Sequence, residues 1–371
     1  MFLGVAVAPL IQSSVIEKSN IPLSNGKTLY VGGSGEGNYS KIQNAIDNAS
    51  DGDTVFVFNG IYRVRVSRYI GLVVNKSINL IGEDKKSTII EKIESGEIIQ
   101  VTGGDITISD FTIRGSGGLL KEHWGIVLRG YGDTNTIENN YIENVENGIF
   151  IDMSNYNNIR NNEITKCNSG IYLGCCSYNN IYQNNITNNN YDGIRINLYA
   201  MCHDCANNNI HLNNIMKNRV GISIQGSFHG SPRKNNISQN NIMYNRYGVV
   251  FDRFSYDNKI YHNNFINIIR NARDWNCSGN YWDDGSEGNY WDSYRGKDKD
   301  GNGIGDKPYW IPPYKIGNKD RYPLMEPYDD VPDVSIKSVN KVVRNRVSSF
   351  PFFYWFLERF PLLAKLLSLL R

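Results

Sequence analysis

Residues 148–187 read GIFIDMSNYNNIRNNEITKCNSGIYLGCCSYNNIYQNNIT, two nearly complete copies of one unit. Each copy runs Gly-Ile-x-Ile, a polar turn, then Asn-x-Ile-x-x-Asn-x-Ile. Outward from this stretch the frame Asn recurs as Asn140, Asn162, Asn184, Asn213, Asn240 and Asn263. Frame isoleucines precede it at 137, 159, 181, 210, 237 and 260, and glycines recur at 125, 148, 170, 193, 221 and 248. The spacings are 22, 22, 29, 27 and 23 residues, the mark of a solenoid. Within a unit, apolar and polar residues alternate with strand period. A unit this short has no room for two helices, but it holds three short strands and three turns. The pattern therefore predicts an all-β, right-handed parallel β-helix. Asn suits its turns in two ways: it tolerates the left-handed backbone region, and its amides can form ladders along the stack.

The frame extends upstream through Ile108 and Ile113, Ile78 and Val55, so stacking is expected over about residues 53–280. Residues 39–49, YSKIQNAIDNA, carry apolar residues at helical spacing and fit an N-terminal capping helix. The predicted organisation is a leader over 1–24, the β-helix over 25–280 and a Trp/Gly/Asp-rich cap over 281–330. A linker with an amphipathic tail occupies 331–371. The apolar start MFLGVAVAPL reads as the end of a secretory signal. The tail's apolar run is broken by Pro351, Glu358, Arg359, Pro361 and Lys365. It suits an interfacial segment over residues 350–370 better than a membrane span. The net charge of +2 over 371 residues, with no basic stripe, argues against nucleic acid as a partner.

Three segments carry a family resemblance: YSKIQNAIDNASDGDTVFVFNGIY (39–62), VVNKSINLIGEDKKSTII (73–90) and GNYWDDGSEGNYWDSYRGKDKDGNGIGDKPYWIP (279–312). Together with DRYPLMEP (320–327), they resemble the NosD-like branch of parallel β-helix proteins, the carbohydrate-binding and sugar-hydrolysis repeats. The chain looks most like archaeal surface and secreted members. The resemblance implies an extracellular or cell-surface β-helix whose partners are glycans or envelope components. It also leaves open a polysaccharide hydrolase or lyase, or copper handling as in the family's namesake.

The residues themselves lean toward a noncatalytic module. The two outward positions after each frame Gly hold two acids, Asp152 and Asp252, four levels apart. At about 4.8 Å per level that is roughly 19 Å, too far for paired glycosidase carboxyls. Asp192 and Asp204 are loop candidates without an obvious partner. The same face carries Phe150, Tyr172, Arg195, Asn197 and Gln225, which with Asp152 form a candidate glycan-binding surface. Catalytic residues are not assigned.

Two further clusters stand out. Insertions after Ile196 and Ile224 project from adjacent levels and bring Cys202, His203, Cys205 and His229 near Cys175 and Cys176. Disulfides between the two cysteine pairs are one expectation, and a thiolate–imidazole site for zinc or copper is the other. Residues 298–306, DKDGNGIGD, place Asp298, Asp300, Asn302, Ile304 and Asp306 at alternating calcium-loop positions, without the bidentate Glu.

Overall fold

The computed structural model describes residues 26–115, 123–130, 132–199, 202, 204–275, 277, 279–313 and 318–331. The expected leader and nearly all of the tail lie outside these residues. Three parallel sheets wind as one right-handed β-solenoid of about ten turns. The first sheet has ten strands, from Thr28–Val31 to Lys259–Tyr261. The second also has ten, from Gly60–Arg63 to Tyr290–Trp291. The third has nine, from Ile70–Val74 to Arg270–Asp274. Stacking thus starts earlier than expected, because Thr28–Val31 pairs in register with Thr54–Val57.

The frame residues stack as the pattern requires. Ile137 pairs with Ile159, Ile181 follows, and Ile210, Ile237 and Ile260 complete the column, all fully buried. Each fully buried isoleucine contributes roughly 1.5–3 kcal/mol of apolar burial. The frame glycines are a consequence of the close stacking. A Cβ at Gly170 would lie 2.5 Å from Ile186 Cγ2 and 2.6 Å from the Gly193 carbonyl oxygen. The capping helix spans Ile42–Asn48, shorter than expected, and buries Ile42, Ala45 and Ile46 over the open first level.

The frame Asn does not occupy the left-handed region. That conformation falls on the residue before it, at Asn139, Asn161, Gln183, Leu212, Gln239 and His262. Tolerance of positive φ therefore does not explain the frame column; hydrogen bonding does. Asn184 accepts from Asn162 N at 3.0 Å and from Asn162 Nδ2 at 3.0 Å. It donates to Asn213 Oδ1 at 3.0 Å, to the Ile159 carbonyl at 2.8 Å and to the Tyr182 carbonyl at 3.0 Å. A second ladder runs from Asn135 through 157, 179, 208, 235 and 258 to Asn280. A third, absent from the sequence consensus, runs from Asn189 through 218, 245 and 267 to Asn271.

Candidate functional site

The third sheet presents the candidate surface. Register aligns Val127, Phe150, Tyr172, Arg195 and Ser223 in one column, and Arg129, Asp152, Gly174, Asn197 and Gln225 in another. Phe150 is only 7% exposed. It is wedged between Trp124, edge-on at 5.6 Å, and Tyr172 at 4.8 Å. It therefore supports the surface more than it offers a face to a ligand. Tyr172 carries Arg195 over its ring at 5.4 Å and accepts a hydrogen bond from Asn197 Nδ2 at 3.1 Å. Gln225 is exposed one level beyond Asn197.

Gly174 opens a gap in the second column. A Cβ there would lie 2.8 Å from the Tyr199 ring. Tyr199, from the loop that follows Asn197, fills that gap, and its hydroxyl donates to Asp152 Oδ1. Arg129 holds Asp152 Oδ2 at 3.1 Å and Glu97 Oε1 at 2.6 Å, and its guanidinium lies 5.7 Å from the Trp124 ring. Burial raises the Asp152 carboxyl above its ordinary value, Arg129 opposes the shift and Glu97 adds to it.

Asp152 is therefore not isolated on this face, as its distance from Asp252 implied. Glu97 shares its arginine. The two outward positions after each frame glycine do not include Glu97, which lies one level before Gly125 and pairs with Trp124. Trp124 lies in the same column, just before its frame glycine and followed by Asn147 and Ser169, while Tyr199 lies in an insertion. The two acids expected on loops instead open strands, Asp192–Asn197 and Asp204–Ala206, and both have partners. Arg195 lies 3.9 Å from Asp192, whose carboxyl is raised by burial. Arg233 clamps Asp204 with two bonds of 2.8 and 2.7 Å.

At the cysteine edge, Cys175 and Cys202 form a disulfide with Cα atoms 5.5 Å apart. Cys176 and Cys205 remain buried thiols. Burial, then the neighbouring Cys205, pushes the Cys176 thiol well above its ordinary value. A protonated, buried thiol is a poor metal ligand. His203 lies outside the described residues, and His229 sits on an exposed loop tip. Among the described residues no three His, Cys, Asp or Glu side chains gather as a metal site.

In the loop 298–306, the Asp298 carboxylate accepts backbone N–H bonds from Gly301 at 2.8 Å, Asn302 at 3.2 Å and Gly303 at 2.8 Å. The Gly303 bond leads in holding its pKa below the ordinary value, so the group stays ionised. Asn302 Nδ2 donates to Asp300 Oδ2 at 3.0 Å, and the Ile304 N–H donates to Asn302 Oδ1 at 2.8 Å.

Residues 72–265 match the family described as right handed beta helix region. Curated protein sequences give no match. Solved structures that share the fold include two with TM-scores above 0.5 to this chain. The complex of XylC with xylose is 13% identical, covering 68% of this chain and 67% of that one, with a TM-score of 0.53. Pectate lyase Pel9A is 16% identical, covering 71% and 82%, with a TM-score of 0.51. At such identities the likeness establishes the fold alone. The family match spans more than half of the chain and coincides with the stacked sheets, and the chain belongs to the right-handed β-helix family.

Proposed function

We propose that this chain is an exported, NosD-like surface module that binds a glycan across its third sheet. The observation that carries the reading is the aromatic cluster of Trp124, Phe150 and Tyr172 set beside Asp152, Arg129, Asn197 and Arg195. Aromatic bodies with a few fixed polar groups suit sugar rings, whose faces are apolar and whose edges are hydroxyls. The enzymatic reading, a polysaccharide hydrolase or lyase, is favoured by one feature. Asp152 has a raised carboxyl pKa and sits between Arg129 and Tyr199, an arrangement suited to proton transfer.

One experiment separates the two readings. The full chain is screened on a glycan array while release of reducing ends and of unsaturated products is followed. Binding without turnover, weakened about tenfold or more by Tyr172→Ala, is expected; tenfold corresponds to about 1.4 kcal/mol. Turnover abolished by Asp152→Asn would establish the enzyme instead. Retention by vesicles that disappears on deleting residues 348–371 would support envelope attachment. The loop 298–306 is the proposed calcium site. Asp298 is already oriented there, and the Asp300–Asn302 bond must open on binding.

A further inference from the structure

The C-terminal end of the coil holds a cavity of about 780 Å³. It lies between the turn 267–269, the strand Arg270–Asp274, residues 290–296 and the segment 324–326. Ligand pockets commonly enclose about 300–1,000 Å³. The third asparagine ladder ends here, with Asn271 Nδ2 donating to Asp292 Oδ1 at 2.7 Å and to Ser293 Oγ at 3.2 Å. Ser293 Oγ in turn lies 2.9 Å from the Tyr309 hydroxyl. Tyr309 is backed by a rigid stack, with Trp291 at 4.3 Å and Phe265 a further 4.4 Å behind it. Burial raises the Asp292 carboxyl above its ordinary value.

Two arginines line the same cavity. Arg295 is fixed to the wall, its Nη1 donating to the carbonyls of Asp292 and Tyr294 at 2.7 Å each. Arg270 is exposed and belongs to none of the ion pairs among the described residues. A planar guanidinium with open donors matches a carboxylate in bidentate fashion.

We propose that this cavity is a second saccharide site, distinct from the third-sheet face, that takes the end of a glycan bearing a carboxylate. The ring packs on Tyr309 and Tyr294, its hydroxyls meet Asp292 and Ser293, and its carboxylate meets Arg270. The site does not depend on the third-sheet reading, because the aromatic column of that face ends at Tyr172, four levels from the strand of Arg270.

The test is saturation-transfer NMR on the full chain with D-glucuronate, and with D-glucose as the neutral probe. Transfer to glucuronate well above that to glucose is expected. Arg270→Ala should weaken glucuronate binding about tenfold or more, and Arg270→Lys should restore part of it. Melting curves of both variants confirm that the fold is intact, since Arg270 is exposed. Equal transfer to the two sugars, or glucuronate binding unchanged in Arg270→Ala, would overturn the proposal. So would glucuronate binding lost in Tyr172→Ala but kept in Arg270→Ala, which would place the ligand on the third sheet.

Discussion

Before residue 115 the turn columns hold Ile78, Ile106, Thr88 and Phe111; from residue 135 onward the same columns hold asparagines. The same cross-section is thus filled in two ways. Ile78, Ile106 and Phe111 plug the early turns with buried apolar volume that needs no partner above or below. The later amides form directional chains, and a directional chain has ends. At its start, Asn140 Oδ1 accepts from Phe111 N at 3.1 Å and Asn135 Oδ1 from Ile106 N at 2.9 Å. At its finish each ladder meets an aspartate. The backbone N–H of Asn289, one level past Asn263, donates to Asp320 Oδ2 at 2.7 Å, and the side-chain amides of Asn280 and Asn271 donate to Asp274 at 3.3 Å and Asp292 at 2.7 Å. Each rung donates its backbone N–H and one Nδ2 hydrogen to the amide oxygen of the next level, so whatever ends the ladder must accept. A carboxyl oxygen does that without bringing two further amide donors that would need partners of their own.

This contrast can be broken at either side. The largest effect is expected from Phe111→Ala, which empties an apolar plug. It should destabilise by about 3–5 kcal/mol in urea unfolding, as for other buried phenylalanines. A change under 1 kcal/mol would mean the early turns are not held by packing. Asn184→Leu keeps the volume but removes the amide that serves Asn162, Ile159 and Tyr182. A loss of roughly 1–3 kcal/mol is expected from the orphaned groups, and an unchanged melting temperature would count against the ladder.

The C-terminal end offers two smaller effects. Calcium at a hundredfold over its dissociation constant should raise stability by about 2.7 kcal/mol if it binds only the folded loop. Calorimetry with no calcium heat, and melting unmoved by chelator, would remove that site. Asp320 gives a pH signature. Burial raises its carboxyl from the ordinary 3.8 to about 7, against the N–H donors of Asn289, Trp291 and Tyr322. Between about pH 4 and 7 the folded state holds a proton that the unfolded state has lost. Stability therefore falls as pH rises through that window, by at most about 1.4 kcal/mol per unit. Asp320→Asn should lack this slope, and identical pH profiles for the two proteins would refute the assignment.

The fold was legible in the sequence because stacked levels repeat their side chains at the same offsets. Ile159 and Ile181 must face the same interior, and Gly148 and Gly170 must admit the same close contact, so the period shows the stack directly. The candidate site was only half legible. Tyr172, Arg195, Asn197 and Asp152 lie on the repeat and could be read from it. Glu97 and Trp124 share the column before the frame glycine, where Asn147 and Ser169 follow, so no residue type repeats there, and Tyr199 lies in an insertion. Long side chains bring them onto the face, and the repeated residue types do not record such reach.

By itself the sequence determined the solenoid, its period and which residues point inward, since burial of alternating apolar residues leaves one register that hides them all. Only the tertiary structure decided which acids share an arginine, which two of the four clustered cysteines bond, and where each amide ladder stops. Those depend on distances between levels of unequal length, and the chain meets them only after it has wound.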